Sequence, residues 1–193
     1  MKRQHQFVLI ASTLAFSWLA MQAVHEFGHA TAAFMSGGKV SQVVLHPAAI
    51  SYTRLTLNPQ PLFVVWMGPI VGVVLPLIAW VIARACRWRG WYLFQFFAGF
   101  CLIANGSYLA FGSFSGIGDA GDLVRHGAKM WLLWLFGLTT IPIGLWLWNG
   151  LVPHFGFGSS EGKVDRATAY IMLAALVVLV TLEIVFSSSS VSP

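Results

Sequence analysis

Five long apolar stretches run along the chain, separated by short polar or glycine-rich segments. The first begins at Phe7 and continues to Met35, with no charged residue before Glu26, and Ser36-Gly37-Gly38 stops it. The others run from Pro61 to about Cys86, from Trp91 to about Phe111, from Met130 to about Trp148, and from Ala167 to Phe186. A helix needs about 20 apolar residues to cross a bilayer, so each stretch is expected to span. Lys39 to Pro61 breaks this pattern. Val40, Val43 and Val44 precede a break at His46-Pro47, and Ile50 to Leu57 is rich in β-branched and aromatic residues, which predicts a short β-hairpin or sheet. The expected fold is an all-α integral membrane protein of about five transmembrane helices, with that hairpin between the first and second. One domain is expected over 1–193, with a core at 7–127, extra helices at 130–148 and 167–186, and a disordered tail at 187–193.

Composition narrows the class. Hydrophobic residues make up 58% of the chain, charged residues 9%, and the mean hydropathy is +0.76. So little charge cannot cover a soluble surface, and a multi-pass membrane protein follows. The net charge of +5 forms no dense run, so no nucleic-acid surface is expected and the basic residues are read as topology signals. With the N-terminus inside, seven of the 11 basic residues fall on inner segments, including Arg84, Arg87 and Arg89. Lys39, Arg54, Arg125 and Lys129 fall outside. The basic start and apolar core also have the shape of a secretory leader. The apolar pattern continues well past Ala20–Ala23, so a spanning helix is expected instead. Cys86 and Cys101 imply no disulfide framework and are expected as two small buried side chains.

The first stretch carries the chemistry. His25-Glu26-Phe27-Gly28-His29 is a full H-E-x-x-H match. On a helix the two histidines share a face, about 6 Å apart along the axis. That spacing lets both reach one zinc ion, with the intervening glutamate free to act as a general base. The chain has only six histidines, and polar residues buried in lipid are costly without a role, so chance is a poor account of the match. A catalytic zinc needs a third protein ligand. Candidates are Asp119, Asp122, His126, His46, His154 and Glu183. The glycine-rich 112–129 segment, which holds both aspartates, is the best place to look. His46 and His154 are expected at the interface, and Glu183 is expected to reach the surface.

These residues resemble the site-2-protease superfamily of intramembrane zinc metallopeptidases in its compact bacterial form. The resemblance runs from His25-Glu26-Phe27-Gly28-His29-Ala30 through Gly37-Gly38-Lys39-Val40, the β-rich stretch and Gly68-Pro69 to Gly118-Asp119-Ala120-Gly121-Asp122-Leu123. It departs from the family pattern in having no proline ahead of Asp119 and an alanine at 120 where glycine is usual. The retained Leu123 favours the register of Asp119. The resemblance implies one zinc ion held by His25, His29 and Asp119, with Asp122 as the alternative third ligand. It implies that Glu26 activates water to hydrolyse peptide bonds of membrane-spanning protein or peptide substrates. Asn105 and Tyr52 are candidates for positioning the substrate, which the β-rich stretch would take up by edge addition. The implied location is a bacterial inner membrane, with the site nearer the cytosol, whereas the charge bias turns the motif end of the first helix outward. The sequence sets neither the substrate nor the oligomeric state. Two other readings compete. A non-catalytic member acting as a binding or regulatory protein has no need of Glu26. A small metal transporter would need polar residues along several spans, yet the fourth and fifth are almost wholly apolar.

Overall fold

A computed structural model describes residues 2–189. The element order is α1 (Lys2–Met35), β1 (Lys39–Val44), β2 (Tyr52–Leu57), α2 (Pro61–Ala85), α3 (Trp91–Ser115), α4 (Gly118–Arg125), α5 (Met130–Trp148) and α6 (Arg166–Ser189). Two short 3-10 turns, Val152–Phe155 and Gly158–Ser160, lie between α5 and α6. Five of the helices are long and apolar enough to cross a membrane: all but α4. The fold is therefore the expected one, an all-α membrane protein with a two-stranded antiparallel sheet between its first two helices.

Helix boundaries follow local chemistry. At the end of α1, Gly37 takes a left-handed φ of 76°, and the Gly38 N–H donates to the Ala33 carbonyl. This closes the helix as glycine at such a cap does. Pro61 opens α2 at a first-turn position, where its missing N–H costs nothing. The hairpin pairs Val43 with Thr53 and Val44 with Tyr52, with irregularities between Lys39 and Gln42.

The bundle is built around α1 and α3. α1 packs on α2 and α6, while α3 packs on α5 along a seam of small residues. A Cβ at Gly99 would lie 2.9 Å from the Gly144 carbonyl, and one at Gly144 would lie 2.7 Å from that of Gly99. Seven residues along, a Cβ at Gly137 would meet the Gly106 carbonyl at 2.9 Å. Lipid offers no hydrophobic drive to bring helices together, so close backbone approach at small residues takes its place. One end of the bundle is closed by a cluster of Leu9, Tyr92, Leu151, Phe155, Ala169 and Met172. There Gln6 Nε2 donates to the Phe155 and Gly156 carbonyls, at 3.0 and 2.8 Å. Outward faces carry large apolar side chains such as Phe34 and Leu138, as lipid contact requires.

Several boundaries differ from the sequence reading. α3 runs on to Ser115, and within the 112–129 segment Gly118–Arg125 forms the helix α4. α4 is amphipathic: Ala120 and Leu123 are fully buried against Leu109 and Leu133. The first part of the expected 187–193 tail is helical, because α6 continues through Ser187 to Ser189, and residues 190–193 lie outside the described ones. Cys101 is buried, but Cys86 is exposed, because α2 has already ended there.

Candidate metal centre

His25 and His29 sit one turn apart on α1, with their rings edge-on and centroids 4.8 Å apart. Both are buried, at 7% exposure. Each ring is held from behind. His29 Nδ1 lies 2.9 Å from the Val64 backbone carbonyl, which can only accept, so that nitrogen carries the proton. His25 Nδ1 lies 2.7 Å from Asn105 Oδ1. The amide orientation of Asn105 is fixed by its Nδ2, which donates to the Cys101 carbonyl at 2.9 Å. His25 Nδ1 is therefore a donor as well, and both Nε2 atoms present lone pairs.

Those lone pairs converge. The two Nε2 atoms are 3.0 Å apart, and Asp119 Oδ2 lies 2.7 Å from that of His25 and 3.2 Å from that of His29. Two neutral nitrogens and a carboxylate oxygen facing one point repel one another unless a cation lies between them. The three ligand atoms all fall within 4.8 Å of one another, and this is a donor set that zinc accepts. The carbonyl of Val64 and the amide of Asn105 are the outer partners that fix imidazole tautomers at metal sites.

Three elements bring this about. α1 supplies the histidines. α2 passes close because Gly28 and Gly68 face each other, with the Gly28 Cβ position 3.0 Å from Gly68 Cα. A Cβ at Gly68 would collide with the His29 ring and lie 2.9 Å from His25 Nε2. α4 brings Asp119 in its first turn, where the Asp119 N–H donates to the Tyr108 hydroxyl at 3.1 Å. Gly118 just ahead has a φ of 57°, and any side chain there would strike that same hydroxyl.

The other candidates lie elsewhere. Asp122 is half exposed and pairs with Arg125 on its own helix at 2.8 Å. His126 caps the exposed end of α4. His46 accepts the Ala48 N–H within its own turn, and the His154 ring stacks on Tyr92 at 4.7 Å. Glu183 does not reach the surface as expected; it is buried at 4% exposure, with Oε2 lacking a hydrogen-bond partner. Asn105 is 1% exposed, with its amide oxygen at His25 Nδ1 and its amide nitrogen donating to the Cys101 carbonyl. Tyr52 is 43% exposed, with the Arg54 guanidinium 5.7 Å from its ring centroid.

Glu26 is 4% exposed and turns to the hairpin. Its Oε1 accepts from Ser51 Oγ at 2.9 Å and its Oε2 from Thr53 Oγ1 at 2.7 Å. Sequence reading missed both hydroxyls, and it missed the closeness of Gly68 to the imidazoles. The period of two along 51, 53 and 55 was the available signal for the first.

A family model described as Peptidase M50B-like matches residues 5–117, more than half of the chain, and the protein belongs to that family. The family is one of zinc metallopeptidases, and with five candidate spans the chain is a multi-pass membrane member of it. The match covers both histidines, Glu26, Gly68 and Asn105, and it ends two residues before Asp119, which enters the site on geometry alone. Comparison with curated proteins and with solved structures returned no match.

Proposed function

We propose that the protein is an intramembrane zinc metalloprotease that hydrolyses peptide bonds of membrane-spanning proteins or peptides. The convergence of His25 Nε2, His29 Nε2 and Asp119 Oδ2, with both Nδ1 atoms engaged behind, carries this reading. One zinc ion held by these three residues would act as a Lewis acid on the scissile carbonyl and make water more acidic. Glu26 takes a proton from the attacking water and passes it to the leaving amide nitrogen. Asn105 and Val64 keep the ligand rings from turning. A transmembrane helix hides its carbonyls in internal hydrogen bonds, so a substrate must arrive locally unwound. The hairpin lies beside Glu26 and has free strand edges, and an extended peptide would add to one of them with Tyr52 at its side. The proposed setting is a bacterial inner membrane. The seven-to-four division of basic residues favours an N-terminus inside, and reporter fusions at residues 151–166 and at the C-terminus would decide the orientation.

The direct test is Glu26→Gln in detergent or vesicles, with a single-span substrate and metal analysis in parallel. The expected result is one zinc per chain retained and cleavage reduced by at least about 100-fold, since a positioned base contributes on that scale. Undiminished cleavage would overturn the assignment of Glu26. Absence of zinc from the purified wild type would overturn the metal centre.

A further inference from the structure

We infer that Ser51 and Thr53 are positioning residues that pin the Glu26 carboxylate to the hairpin. Base alignment and substrate seating then depend on one strand. The kinetic part of this inference rests on the protease reading above. The geometry stands apart from it.

The sequence of the hairpin makes the arrangement. Side chains along an extended strand alternate faces, so Thr53 and Leu55 of β2 point the same way, and Ser51, just ahead of the strand, continues the pattern. Leu55 packs against the Ala32, Ala33 and Val64 cluster, which fixes that face toward α1 and α2. Two positions back, Thr53 Oγ1 reaches Glu26 Oε2 at 2.7 Å, and two further back Ser51 Oγ reaches Oε1 at 2.9 Å. The Ser51 N–H donates to Gln22 Oε1 at 3.0 Å, one turn ahead of Glu26 on the same face of α1. The hairpin is thus tied to α1 at Gln22, at Glu26 and through Leu55. With both oxygens held by separate hydroxyls, the carboxylate cannot turn about its terminal torsion. A glutamate on a helix otherwise keeps that freedom. Each hydroxyl also retains lone pairs, so it holds the carboxylate while still able to accept from another group.

Strand register gives the consequence for substrate. Thr53 lies opposite Val43 in the ladder, and Tyr52 opposite Val44. A peptide adding to an edge of this sheet would order the same residues that hold Glu26. Correct seating would set the base, whereas a peptide that bound elsewhere would leave it less well aligned.

The experiment compares Thr53→Val, which keeps the shape and loses the hydroxyl, with Thr53→Ser, which keeps the hydroxyl. On a single-span substrate, Thr53→Val is expected to lower kcat by about 10-fold or more, because small misplacement of a catalytic group is costly. KM and zinc content should hold. Thr53→Ser should restore kcat to within about threefold of wild type by the same reasoning. Equal kcat in the two variants, or a loss confined to KM or to zinc content, would overturn the inference. Hydrogen exchange supplies a readout that needs no activity. The Tyr52–Leu57 amides should exchange several-fold faster in Glu26→Ala and in Thr53→Val, and unchanged exchange in both would also overturn it. If wild type cleaves no membrane-spanning substrate, the protease reading fails, and exchange alone decides whether the hairpin is pinned.

Discussion

Two helix contacts in this protein depend on glycine, and they use it for different ends. Between α3 and α5, Gly99 and Gly144 each face the other's carbonyl, and the space saved goes to backbone and to the Trp148 indole. Between α1 and α2, Gly68 faces the His25 and His29 imidazoles, and the space saved goes to side chains that carry lone pairs. The first contact is mostly apolar, framed by Val73, Ala98, Leu102 and Leu147, and its polar links are single hydrogen bonds from Gln95 to the Leu147 carbonyl and from Trp148 to the Phe96 carbonyl. The second holds buried histidines, a glutamate and an asparagine, every one of them hydrogen-bonded. A glycine in a membrane helix therefore does not announce its purpose. Its neighbours decide whether it serves packing or chemistry.

Substitutions can pull these two uses apart. The largest expected effect is at Asp119, which α4 brings up to the two imidazoles. Asp119→Ala should weaken zinc binding by more than the 10- to 100-fold typical of outer partners, whereas Asp122→Ala should leave zinc content unchanged, as read by metal analysis of purified protein. Gly68→Ala should come next. Its methyl group would displace the imidazoles, and zinc affinity should fall by roughly 100-fold while the helix content seen by circular dichroism is kept. Asn105→Ala frees one ring without adding bulk, so its loss should be smaller, about 10-fold in zinc affinity. Gly144→Ala tests the other contact. It should cost about 1–3 kcal/mol of stability through overpacking and leave zinc per folded chain unchanged. A loss of zinc from folded Gly144→Ala protein would show that the two contacts are coupled. Leu138→Ala, on a lipid-facing position, should lie within about 0.5 kcal/mol of wild type.

The spans were legible in the sequence because lipid imposes a simple demand: long runs of apolar residues between polar breaks. Met130–Trp148 follows from that demand alone. The motif was legible because its spacing matches one turn of helix. α4 was not. Its eight residues offer too short a period to read, and Gly118 and Gly121 suggested a turn. The alanine at 120, a departure from the family pattern, becomes intelligible only when α4 is seen: its methyl group is fully buried beside Leu109 and Leu123. The partners of Glu26 were hidden for a different reason. Serine and threonine on a strand look alike whether they face water or a carboxylate, and only the tertiary placement of the hairpin distinguishes the two. Glu183 runs against expectation because position near a helix end does not guarantee access: the side chain is buried at 4% exposure.

α1 is one unbroken helix of 34 residues, and it is fastened at both ends of its useful length. Gln6 is fixed to the Phe155–Gly156 turn, and the His25–His29 pair is fixed to α2 and α3, His29 through Val64 and His25 through Asn105, with Gly68 against both rings. His25 lies 19 positions after Gln6, a rigid length of about 28 Å at 1.5 Å per residue. α1 thus works as a ruler laid across the bilayer. A thicker or thinner membrane cannot stretch it. The mismatch must be absorbed by tilting the whole bundle or by deforming the lipid around it, and the depth of the histidines below the Gln6 end is a constant of the protein rather than of the membrane.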